Sequence, residues 1–227
     1  MCHNSIMRAF LLGLVASAAI AAAAAPAAAQ YFFLDTNGDG TSRCVDPTAP
    51  PDRLTPGVTA VDVYIVTDRS IDGSKVVCAL SEGAYIPPLS LYSFEFILRA
   101  SGPGSIRYDA WTDAAGFPNG LIPLGDFTMA AQGSDVWVGR FTMNALGPGK
   151  YRLGALSVKV SAYPRLDFAI TTPMAMPGAE TYFGSHCLSV RVDNVHRLGE
   201  DFHDACGTVP TDPVELAAWD RIQSLYR

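Results

Sequence analysis

Signatures of catalysis are missing from this chain of 227 residues. It has no G-x-S-x-G nucleophile turn, no H-E-x-x-H helix and no glycine loop of the kind that cradles phosphate. The commonest hydrolase, zinc-protease and nucleotide-binding readings therefore have nothing to stand on. No C-x-x-C pair occurs, which removes the ordinary thiolate zinc site. Basic clusters are absent too. Lys and Arg number 16 against 22 Asp and Glu, a formal charge of −6, so nucleic acid and anionic membrane surfaces are not expected partners. Glutamate is scarce: 17 of the acids are Asp and only five are Glu. Asp favours loops and cation sites where Glu favours helices, so helix is expected to be a minor element.

What is present begins with a leader. Arg8 supplies a positive start, Ala9 to Ile20 an apolar core, and Ala27-Ala28-Ala29 a small-x-small cleavage site before Gln30. Pro26 and the alanine tract end the strongly apolar run too early for a membrane span of about 20 residues. No cysteine follows the apolar core, so a lipid anchor is not expected either. Residues 1–29 are thus read as a signal peptide. The expected location is extracellular or at the cell surface, with the periplasm as the alternative, and no membrane span after signal removal.

Cys44, Cys78, Cys187 and Cys206 remain beyond the leader. An even count in an exported chain reads as two disulfides. Of the three connectivities, Cys44–Cys78 and Cys187–Cys206 are favoured, because each pair brackets a loop-rich stretch.

The rest of the chain alternates. Val61, Val63 and Ile65 share one face of a strand within 58–67. Tyr92, Phe94, Phe96 and Leu98 share one face of another, with Ser93, Glu95 and Arg99 opposite. Trp137, Phe141 and Met143 recur at even spacing, as do Leu156, Val158 and Val160. Period-two patterns of aromatic and β-branched residues mark half-buried strands. Turn signals such as Pro87-Pro88, Gly102-Pro103-Gly104 and Gly147-Pro148-Gly149 separate them. About nine strands are expected: near 31–34, 58–67, 75–80, 90–100, 104–112, 124–130, 135–143, 150–161 and 166–171, with weaker pieces near 181–183 and 187–193. The fold class is all-β, an antiparallel sandwich along a jelly-roll or Greek-key path over residues 30–210. Residues 211–227 form a tail in which Asp212 and Pro213 open a short amphipathic helix near 213–226.

The most telling stretch is Asp35-Thr36-Asn37-Gly38-Asp39-Gly40, followed by Asp46. Oxygen-bearing side chains stand at loop positions 1, 3 and 5, glycine at 6, Thr41 at 7 and a carboxylate at 12. A hard cation such as Ca2+ needs six to eight converging oxygens, and a tight loop supplies them from alternate residues. Asp35, Asn37, Asp39, Thr41 and Asp46 are the expected ligands. Asp68-Arg69-Ser70-Ile71-Asp72-Gly73 echoes the pattern but has Ala79 at position 12, so a turn around Asp72-Gly73 is the preferred reading. Sharing one ion with the first loop is the alternative.

The 35–46 loop resembles the calcium loop of dockerin modules in Asp35, Asn37, Asp39, Gly40 and Asp46. The stretch over roughly 58–171 is similar in outline to cohesin-type and related carbohydrate-binding sandwiches. This resemblance implies a secreted, non-catalytic binding or structural module, with an extracellular protein or a polysaccharide as its partner. A polysaccharide-binding module is one alternative. Tyr108 and Trp111 are its candidate contacts, since flat rings stack on sugar faces, although core residues are the more ordinary use of such rings. A secreted hydrolase is the other alternative. His186, His196 and His203, near Asp193, Glu200, Asp201 and Asp204, are its only concentration of titratable groups, and their spacing matches no zinc motif.

Overall fold

The computed structural model describes residues 30–74, 90–117, 120–124, 129–174, 178–186, 194–200, 202 and 205–209. The leader at 1–29, the expected strand at 75–80, the piece near 187–193 and the expected helix at 213–226 lie outside these residues, as do Cys78 and Cys187.

Among the described residues twelve strands follow in order: β1 (Tyr31–Asp35), β2 (Ala60–Val66), β3 (Ser90–Ser101), β4 (Gly104–Asp113), β5 (Ile122–Pro123), β6 (Ala130–Gln132), β7 (Asp135–Leu146), β8 (Lys150–Ala162), β9 (Arg165–Ala169), β10 (Tyr182–His186), β11 (Asn194–Arg197) and β12 (Ala205–Cys206). They form two sheets packed as an antiparallel β-sandwich. One runs β12-β1-β2-β8-β4 and the other β11-β10-β3-β7-β5. β9 continues the β10 edge of β3, and β6 shares the β5 edge of β7. Every pairing between these strands is antiparallel except β1 with β12. Residues 125–128 of the strand expected over 124–130 lie outside the described residues; on either side of them the short β5 and β6 dock at separate points along β7.

Alternation explains the core. Val61, Val63 and Ile65 of β2 point inward, as do Phe94, Phe96 and Leu98 of β3 and Leu156 and Val158 of β8. They meet Phe32, Leu34, Val136, Val138 and Phe183 between the sheets. Each fully buried large apolar side chain contributes about 1.5–3 kcal/mol. Trp137 takes the other face of β7 and joins Ile97, Ala169 and Met174 on the outside of its sheet. On the same side Met143 is exposed, because nothing covers that end of β7 among the described residues.

β1 is the strand that matters for the site. It is buried on both faces. Phe32 and Leu34 face the main core, while Tyr31 and Phe33 face outward into a second cluster with Val66 and Cys206. Val45, Tyr64 and Ile71 pack against that cluster from outside. The loops that leave β1 and β2 therefore fold back over the outer surface of the first sheet.

The disulfide expectation is corrected. Cys44 bonds Cys206, with their Cα atoms 6.2 Å apart and the two residues 162 positions apart in sequence. Neither Cys44–Cys78 nor Cys187–Cys206 forms, because each would need a sulfur that this bond uses. The cause is β12, which returns beside β1 in parallel and sets Cys206 opposite Phe33. The loop leaving β1 carries Cys44 back to the same place.

Candidate metal centre

The loop after β1 winds around the Asp35 carboxylate. Asp35 closes the strand and is buried, so its oxygens are held in place before the chain turns. Its Oδ1 accepts from the amides of Asn37 (3.0 Å) and Gly38 (2.7 Å), and its Oδ2 from the amide of Gly40 (2.7 Å). Asn37 Oδ1 then accepts from the Asp39 amide at 2.9 Å, and Asp39 Oδ1 from the Thr41 amide at 2.7 Å. Three successive side chains thus each cap the amide two residues on, the local bonding that Asp and Asn favour in turns. Gly38 and Gly40 take φ of +80° and +70°, a region that side chains with a Cβ rarely enter. Alternate residues consequently turn their oxygens back onto the coil's own amides, with Asp35 buried and Asn37 and Asp39 exposed.

The coil rests on a built platform. Phe33 and Tyr64 stack with centroids 4.7 Å apart and planes within 4°. Lys150 donates to the Gly40 carbonyl at 2.9 Å while its ammonium lies 5.8 Å from the Tyr64 ring centroid. The Cys44–Cys206 bond fastens the far side of the loop to β12.

Asp52 enters this site although sequence reasoning passed over it. It is 2% exposed. Its Oδ1 accepts from the Thr36 amide at 2.9 Å, so the side chain points into the base of the coil. Its Oδ2 is buried with no hydrogen-bond partner. Burial pushes this carboxyl up to about 6. The Thr36 amide and, more weakly, the Thr36 hydroxyl oppose the shift, and the charges of Asp35 and Asp39 add to it. Thr36 Oγ1 accepts from the Arg53 amide at 3.0 Å, which ties the two segments together a second time. Leu54, two residues on, is fully buried in the main core and anchors the return. Asp52 stands 17 residues after Asp35, outside any loop-length motif, and no sequence signal marks it.

Asp46 is placed differently. Its carboxylate is exposed, and its Oδ1 accepts from both the Thr48 amide (2.9 Å) and the Thr48 hydroxyl (2.6 Å). Those bonds hold it below the usual carboxylate range. Thr41 Oγ1, at the end of the coil, is buried without a partner.

These donors fit a hard divalent cation in chemistry. They are carboxylate and amide oxygens, with no thiolate or imidazole among them, which suits Ca2+ or Mg2+ over zinc or copper. The orphaned Asp52 Oδ2 is the atom such an ion would satisfy. Among the described residues no three His, Cys, Asp or Glu side chains already stand together as a metal-holding group. Asp35, Asp39 and Asp52 would therefore draw inward around the ion.

Beside the coil lies a cavity of about 300 Å³. Tyr31, Phe33, Val45 and Val66 form its apolar part, and Asp46, Asp68, Arg69 and Lys150 line it with charge. Asp68, from the second acidic stretch, thus shares a wall with the first loop, and its carboxylate is paired with Arg69 at 3.0 Å. The Asp72 carboxylate accepts from the Ser74 amide at 2.8 Å and from the Ser70 hydroxyl, and Gly73 adopts φ of +83°. A turn around Asp72-Gly73 is thus present, while the strand that a hairpin there would need next lies outside the described residues.

Of the remaining candidates, Trp111 and Tyr108 pack inward. Trp111 is 6% exposed, edge-on to Phe96, and donates from Nε1 to Asp113 Oδ1 at 2.5 Å. The same oxygen accepts from Nε of the fully buried Arg140 at 2.8 Å. Tyr108 packs against the main core and donates its hydroxyl to the Ser134 carbonyl at 2.8 Å. These two rings do not form an exposed planar strip. His196 stacks on Phe183 and hydrogen-bonds the fully buried Ser185 at 2.9 Å. His203, Asp193, Asp201 and Asp204 lie outside the described residues. Comparison with protein-family models, curated proteins and solved structures finds no match to this chain.

Proposed function

We propose that this chain is an exported, non-catalytic binding or structural module whose first loop is held by Ca2+. The observation that carries the reading is the coil at Asp35–Thr41. Side-chain oxygens of Asp35, Asn37 and Asp39 each cap an amide within it, and the buried, unpartnered Asp52 Oδ2 stands at its base. The loop covers Tyr31 and Phe33, so an ion that stiffens it also seals the outer cluster of the first sheet. The partner is an extracellular protein or polysaccharide, as the dockerin and cohesin resemblance implies.

Calcium then acts through folding. An ion bound by the native state alone stabilises that state by mass action, about 2.7 kcal/mol at one hundred times its dissociation constant. For a domain of this size that raises Tm by several degrees. Thermal melts in Ca2+ and in chelator test the reading. The wild type is expected to melt several degrees lower in chelator, and Asp39→Ala is expected to melt alike in both. Identical wild-type melts would remove calcium from the function.

A further inference from the structure

Loops of this type are closed by a carboxylate at position 12, which is Asp46 here, but Asp46 is engaged elsewhere. Both Asp46 contacts run to Thr48, in a solvent-facing turn. Asp52 has the complementary features. It is buried, its Oδ1 is fixed by the amide of Thr36 inside the coil, and its Oδ2 has no partner. A buried carboxylate oxygen left without a hydrogen bond costs about 1–3 kcal/mol or more, so it persists where something else satisfies it.

We infer that Asp52, and not Asp46, closes the cation site, so that the ion bridges the 35–41 coil and the 49–54 segment. This rests on the calcium reading above and adds its last ligand. The consequence is long-range. The Asp52 carbonyl accepts from the Val209 amide at 2.7 Å, and Leu54 sits in the main core. The cation thereby pins the segment on which the stretch after β12 docks. Cys44–Cys206 fastens that neighbourhood from the other side. The ion and the disulfide are two locks on one junction, where the end of β1 meets the return of the chain after β12.

Calcium titration by calorimetry on the mature chain and two variants tests the inference. Asp46→Asn is expected to bind Ca2+ within about twofold of wild type. Asp52→Asn is expected to lose affinity by about tenfold or more, the usual cost of deleting a charged ligand. Should Asp52→Asn fail to fold, carboxyl carbon resonances of the wild type replace it: Asp52 is expected to shift on calcium addition while Asp46 stays. No binding by wild type would sink the calcium reading itself. Wild-type binding with Asp52→Asn unimpaired, or with Asp46→Asn weakened about tenfold, would overturn this inference alone. A wild-type spectrum in which Asp46 moves and Asp52 does not would do the same.

Discussion

Glu95 shows how position along a strand differs from environment. The alternation of β3 sets it opposite Phe94 and Phe96, on the polar side. There it is only 7% exposed, because β10 lays Tyr182 directly across from it. Its Oε1 accepts from the Glu180 amide at 2.9 Å. Burial pushes its carboxyl above the ordinary value. A carboxyl raised on folding stabilises the fold while protonated, and that contribution is lost as pH rises through its folded pKa. At pH 7 the buried charge is therefore a cost. Glu95→Gln keeps an acceptor for Glu180 and removes the charge. It is expected to raise Tm at pH 7, with the gain shrinking toward pH 4; a gain that is flat with pH would show that the charge is not what Gln relieves. Asp52 teaches the same lesson at the site. Its residue type was visible in the sequence, but its burial was not, since Leu54, Thr36 and Val209 come to it from separate stretches of the chain.

The strands were the legible elements, and for a physical reason. β2, β3, β7 and β8 are long enough for a period of two to stand out, and their turns carry Gly and Pro. The pieces that escaped are short or paired at a distance. β5 and β12 have two residues each, too few to show any period. β12 exists because β1 offers it an edge, which no local pattern encodes. The disulfide followed the same course. The loop-rich stretch between them suggested Cys44–Cys78, whereas sheet pairing delivered Cys206. The coil at 35–41 was legible because its chemistry is local: each cap spans two residues. At the element scale the bond itself is testable. Replacing Cys44 and Cys206 by Ser is expected to cost about 2–5 kcal/mol, since the bond closes a very long loop in the unfolded chain. Urea titration of oxidised wild type and the double variant would measure it. An unchanged midpoint would mean that the junction is held without the sulfurs.

At the scale of the molecule, the all-β class and the sandwich followed from composition and alternation together. Scarce Glu argued against helices, and repeated apolar faces required two sheets to bury them. Left out was the way the sandwich shuts. β1 and β12 lie side by side and parallel, so the start of β1 and the end of β12 point to opposite ends of the pair. Tension applied between residues 30 and 209 therefore loads that pair in shear. The path of the load runs through β1, the acidic coil and the sulfur bridge, and skips the 162 positions spanned by the crosslink. Stretched in this way, the oxidised protein is expected to lengthen only by the short segments outside the bridge. After reduction it should release more than about 500 Å of further contour, at about 3.5 Å per residue. Single-molecule extension with and without reductant would read the difference. A fold wired in this manner bears a pull between those two residues without unravelling the stretch inside the bridge.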